Sequence, residues 1–119
     1  MYNKVFLIGR LVRDPEVRVT LSGISVARFT IAVDRTFKKD QEKVTDFLRI
    51  VTWRRLAEVC GQYMKKGKLV AVEGRLQIDS FEKDGEKKTS AEIVADNVQM
   101  LDKVGQSSSM EEYPAMTID

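Results

Sequence analysis

Phe47, Arg49, Val51 and Trp53 alternate with Leu48, Ile50 and Thr52, so in an extended chain the two sets face opposite ways. One face then carries an aromatic ring, a guanidinium and a second aromatic in a line. Two residues along a strand span about 6.6–6.8 Å, close to the reach of successive splayed bases. Unpaired bases stack on such rings at ~1–3 kcal/mol each without selecting a sequence, and neighbouring cations neutralise phosphates. Duplex DNA hides its base faces, so this surface suits single strands. The competing reading packs Phe47 and Trp53 beneath the long preceding loop, residues 36–45, as a secondary core. Two further aromatics favour the binding face. Phe37 opens a loop carrying Lys38, Lys39 and Lys43, and Phe81 lies near a hairpin tip with Lys83 and Lys87. A large apolar ring in so charged a setting needs a reason.

The elements that must hold these residues can be read from periodicity. Val5–Leu11 is a nearly continuous apolar run, expected as a strand buried on both faces. Arg13-Asp14-Pro15 and Ser22-Gly23 mark turns. Residues 25–35 alternate, with Ala27, Phe29, Ile31 and Val33 facing the core and Val26, Arg28, Thr30 and Ala32 the other way. A polar loop covers residues 36–45, and the aromatic strand follows over 46–54. The period then becomes helical. Leu56, Val59, Cys60, Tyr63 and Met64 form one apolar stripe, Lys65 and Lys66 are expected in the last turn, and Gly67 as its C-terminal stop. Two strands, residues 68–83 and Glu86–Met100, join at Asp84-Gly85, a strong hairpin signal. Gly74 predicts a bulge or bend. The order β-β-β-α-β-β is that of an all-β, five-stranded Greek-key OB barrel with one helix between its third and fourth strands. In that fold the strand 2–3 face and adjoining loops hold oligonucleotides or oligosaccharides.

Composition bounds the rest. The 119 residues suffice for one domain, expected over residues 1–103, with a short flexible acidic tail over 104–119. All 20 Lys and Arg lie between Lys4 and Lys103 beside 15 acids, a surplus of +5, whereas Glu111, Glu112 and Asp119 give the tail −3. A basic body with an acidic end is the asymmetry of polyanion binders. Cys60, the one cysteine, excludes an internal disulfide or a multi-cysteine zinc site. The sequence has no His, no phosphate-cradling Gly-rich loop and no nucleophile with a recognisable base. Asp46, Glu73 and Asp79 show no clustering for Mg²⁺. Neither enzyme, cofactor nor metal is therefore expected. With no signal-peptide or membrane-spanning pattern, a cytoplasmic, nucleoid-associated protein is expected.

Asn3-Lys4-Val5, Ile8-Gly9-Arg10-Leu11 and Arg13-Asp14-Pro15-Glu16-Val17-Arg18 closely resemble the opening of bacterial single-stranded-DNA-binding proteins. So do the run from Phe47 to Glu58, Tyr63-Met64-Lys65-Lys66-Gly67 and Val72-Glu73-Gly74-Arg75-Leu76. The resemblance runs in order from Asn3 to about Leu101. It implies a protein that binds and protects single-stranded DNA, with little sequence preference, during replication, recombination, repair or uptake. It also implies stacking on Phe37, Phe47, Trp53 and Phe81, and basic contacts from Arg49, Arg55 and Lys66. Charge and placement add Arg35, Arg54 and Lys83. The family generally forms homotetramers in which the first strand helps to pair subunits, a role that Val5, Phe6, Leu7 and Ile8 fit.

Family members commonly end in a long Gly-rich linker and an acidic tip closing with Ile-Pro-Phe, where repair and replication enzymes dock. Here the linker is short and the terminal Phe is missing. Only weak contacts with replication, recombination or repair enzymes are expected, through Glu111, Glu112, Pro114, Ile118 and Asp119. That departure points to a short-tailed paralogue serving uptake, a phage or a plasmid. The rival reading is an OB-fold module for protein or RNA, such as a replication-restart or assembly subunit.

Overall fold

The computed structural model describes residues 1–36 and 43–102, together with the backbone of residues 116–117. Its strands are β1 (Val5–Leu11), β2 (Glu16–Val19), β3 (Ser25–Asp34), β4 (Thr45–Trp53), β5 (Leu69–Lys83), β6 (Glu86–Met100) and β7 (Met116–Thr117). One helix, α1 (Arg54–Tyr63), separates β4 from β5. The sheet runs β1-β5-β6-β4-β3-β2, and β1 also pairs with β3. That last pairing, Arg10↔Ala32 and Leu11↔Ile31, closes five strands into a ring. On the far side β4 meets β6 in parallel through Ile50↔Ile93 and Val51↔Val94. This is the OB barrel, with its helix in the expected interval.

Inward alternation fills the ring. Leu11, Phe29, Ile31, Ile50, Val70, Val72, Ile93 and Val98 form the core with Leu56, Cys60 and Met64 from the helical segment. Full burial of each large aliphatic or aromatic side chain contributes ~1.5–3 kcal/mol. The Thr52 hydroxyl, buried among them, donates to the Ala27 carbonyl at 3.1 Å. Burial pushes the Cys60 thiol up to about 12, the Thr52 contact opposing it. This is a structural thiol, protonated at neutral pH.

Gly74 sits at the register slip between β5 and β6. A Cβ there would run into the Val94 carbonyl oxygen, so only glycine lets the strands approach at this corner. Asp84 and Gly85 both have positive φ, 55° and 78°, as a two-residue type I′ hairpin requires.

Three expectations need correction. The segment after Pro15 contains a strand, β2, paired with β3 through Glu16↔Arg28 and Val17↔Ala27. All four of its residues are exposed, and its alternation of Val17 and Val19 with Glu16 and Arg18 is only four residues long. The helix ends at Tyr63, with Met64 already extended. Lys65 and Lys66 therefore lie beyond it, and Gly67 (φ 89°) occupies a turn in which the Lys68 N–H donates to the Lys65 carbonyl. The first strand is covered on one face only. Val5 and Leu7 pack on the core, whereas Phe6 and Ile8 are 62% and 47% exposed. Near the end of the chain, β7 pairs antiparallel with β6 through Asn97↔Thr117 and Val98↔Met116. It occupies an edge that β4, whose pairing ends at Val94, leaves open.

Candidate nucleic-acid interface

The β3–β4 register aligns Ala32 with Phe47, Thr30 with Arg49, Arg28 with Val51 and Val26 with Trp53. These eight residues share the outer surface of the barrel, because Ile31, Ile50 and their alternates fill its inside. Phe47 is 65% exposed, which removes it from any secondary core among the described residues. Val51 is buried and floors the surface, Arg49 is exposed beside it, and Trp53 is half-buried.

Trp53 ends β4 in extended conformation, and the helix begins at the next residue. The corner is made by Arg54 at φ 61°, a left-handed conformation that costs a non-glycine residue ~1–2 kcal/mol. With no linker to spend, the chain turns there and leaves Arg54 and Arg55 exposed beside the indole. Lys66 lies on the Lys65–Lys68 turn, beside the end of β1, where the Gly67 N–H donates to the Leu11 carbonyl. Its backbone N–H donates to Asp14 Oδ1 at 2.8 Å, and Arg10 Nη1 donates to the Gly67 carbonyl at 3.0 Å.

The β5–β6 hairpin brings in Phe81, 45% exposed and opposite Lys88, with Lys83 opposite Glu86. On this face Arg75 donates to Gln77, and Gln77 to Asp79. An acid therefore stands in the row next to Phe81. Among the described residues no carboxylate forms an ion pair with Arg49, Arg54, Arg55, Lys66 or Lys83.

Arg35 differs. Its Nε and Nη2 donate to the two Asp46 oxygens, each at 3.0 Å. The Arg35 hydrogen bonds hold the Asp46 carboxyl below the usual carboxylate range. Asp34 is similarly lowered, first by the Thr45 hydroxyl and then by Lys43. These paired groups clamp the base of the β3–β4 hairpin. Phe37 itself lies outside the described residues, as do Glu111, Glu112, Pro114, Asp119 and Ile118.

Sequence alternation places Arg28 on the outward side of its strand but gives it no binding role. Its Nε donates to Glu92 Oε2 at 3.1 Å, across to β6. Arg13, Arg28, Thr30 and Arg49 line one open pocket of about 240 Å³ in this face. Among the described residues no group of three or more His, Cys, Asp or Glu is placed to hold a metal ion. No helix there is long and apolar enough to cross a membrane.

Comparison with known proteins points the same way. The family model described as "Single-strand binding protein family" matches residues 2–101. The single-stranded DNA-binding protein of Thermotoga maritima is 53% identical over 106 residues, 86% of this chain and 75% of the relative. The protein of that name from Oceanobacillus iheyensis is 49% identical over 107 residues, 88% of this chain and 66% of the relative. Among solved structures, a Plasmodium falciparum SSB complex with ssDNA superposes with a TM-score of 0.79 at 27% identity. It is covered over 96% of its length by 86% of this chain.

Proposed function

The chain belongs to the single-strand binding protein family, and from that premise we propose that the outward face of β3 and β4, extended by the β5–β6 hairpin, holds unpaired DNA. The chain binds single-stranded DNA. Phe47, Trp53 and Phe81, joined by Phe37, act as stacking platforms, while Arg49, Arg54, Arg55, Lys66 and Lys83 neutralise phosphates. Arg35 contributes when it is released from Asp46. The observation that carries this reading is the β4 row. An exposed phenyl ring, an arginine with no ion-pair partner among the described residues and an indole stand on one surface at alternate positions.

Stacking and charge neutralisation use features that every nucleotide has. The protein therefore protects whatever single strand replication, recombination, repair or uptake exposes, and it needs no reaction of its own. Its place of work is the DNA of a bacterial cytoplasm. The outward Phe6 and Ile8 support assembly into a homotetramer, over which one strand can wrap. Glu111, Glu112, Pro114, Ile118 and Asp119 are candidates for weak contacts with replication, recombination or repair enzymes.

Titration of the protein with oligo(dT), read by Trp53 emission, tests the assignment. Strong quenching is expected, salt should weaken it as counterions return to the DNA, and duplex of equal length should compete poorly. Silence on dT, or equal competition by duplex, would overturn it in favour of a protein- or RNA-binding module.

A further inference from the structure

The outer surface holds a recess, lined by charged side chains, Thr30 and Phe29, that the row of stacking rings does not use. It lies between the turn after β1 and strands β3, β4 and β6, and Arg13, Arg28 and Arg49 all reach it. Its volume of about 240 Å³ falls below the ~300–1,000 Å³ usual for a complete small-molecule ligand. It is also open to the face along which the strand would run. Such a recess suits one section of a polymer better than a free metabolite.

Three acids border the same pocket, and each already has a partner. Asp14 Oδ1 accepts the Lys66 N–H at 2.8 Å. Glu16 Oε2 is paired with Arg18 Nη2 at 2.7 Å, a contact that holds its carboxyl below the usual range. Glu92 Oε2 takes Arg28 Nε at 3.1 Å. Arg13 and Arg49 have no carboxylate partner among the described residues. Arg28 offers only its Nε to Glu92, so its terminal nitrogens are free to donate elsewhere. Thr30, opposite Arg49 in register, adds a hydroxyl donor.

Anionic oxygen is the chemistry that meets several guanidinium donors converging on one recess, since arginine binds phosphate through paired N–H groups. We infer that this pocket is a backbone-phosphate subsite for the bound single strand, with Arg13 and Arg28 acting beside Arg49. Glu92 holds the Arg28 side chain over β4, which lies between their two strands, so that its free edge faces the pocket. The inference rests on the single-strand reading of the same face and adds two residues to it.

The test compares Arg13→Ala, Arg28→Ala, Arg28→Lys and Glu92→Gln with the unaltered protein. Binding of labelled oligo(dT) is measured by anisotropy over a series of salt concentrations, with thermal melting alongside. Each alanine variant should bind roughly three- to tenfold more weakly at low salt, and its log–log salt slope should shrink by about 0.7, the value for one phosphate on a single strand. Arg28→Lys should restore the slope but only part of the affinity, because an ammonium lacks the guanidinium fork. Glu92→Gln keeps an oxygen acceptor for Arg28 Nε while removing the competing charge, so affinity should be equal or higher. Slopes unchanged in both alanine variants would overturn the subsite, as would a Glu92→Gln loss matching that of Arg28→Ala. If the unaltered protein failed to bind dT, the parent reading would fall instead.

Discussion

Arg35 and Asp46 face each other across the base of the β3–β4 hairpin with two hydrogen bonds, so a phosphate reaching Arg35 must displace a carboxylate already seated there. Asp46→Asn should free that guanidinium and tighten dT binding at low salt by a few-fold, an advantage that fades as salt screens it. An anisotropy titration at two ionic strengths checks this. Because the folded Asp46 value is depressed, the pair's contribution to stability is complete above the ordinary carboxylate range. It is lost as pH falls through the lowered folded value, which is also where Arg35 is set free. The two β4 aromatics should separate under mutation. Phe47→Ala removes an exposed ring, so dT binding should weaken by about 1–3 kcal/mol with stability changed by no more than ~0.5 kcal/mol. Trp53→Ala should weaken binding similarly and also lower the melting temperature, because the indole is half-buried at the helix start. Labelled-dT anisotropy and thermal melting, measured together, read both effects.

The corner between β4 and α1 stores strain at Arg54. Glycine enters the left-handed region without a Cβ penalty, so Arg54→Gly should gain about 1 kcal/mol of stability in denaturant unfolding while losing one phosphate contact. Stability and affinity would thus move in opposite directions, as expected where backbone geometry is held for function. The sequence made this element legible only in part. Strong two-residue alternation identified β3 and β4, and the Asp84-Gly85 and Gly74 signals were local enough to be read directly. Hydrophobic spacing also marked the helix through Leu56 and Cys60, but Met64 continues the apolar stripe after the backbone has left the helix. Burial at that position reports tertiary packing, and it carried the expected helix one turn too far. The exposed β2 alternates Val17 and Val19 with Glu16 and Arg18, but four residues were too short a run to separate it from a loop. The Arg35–Asp46 clamp was equally hidden, because eleven residues separate its partners and only the hairpin register brings them together.

At the scale of the molecule, the apolar pair Phe6 and Ile8 is the clearest surface in search of a partner. Phe6→Asp should leave the monomer folded, since its ring points away from the core, and should shift light scattering from a tetramer toward smaller species. A wild-type monomer at micromolar concentration would refute assembly through this strand. The ring itself carries a second consequence. Its two closing seams are short, two residue pairs between β1 and β3 and two between β4 and β6, whereas the β3–β4 and β5–β6 hairpins are long and local in sequence. Local pairings pay the smaller loop-closure entropy, so the hairpins zip early and the seams late. The surface proposed to meet DNA straddles the β4–β6 seam, with Arg49 and Trp53 on one side and Phe81 and Glu92 on the other. It therefore exists as a single surface only after the last step of folding, and a strand laid across it ties the two halves of the barrel together.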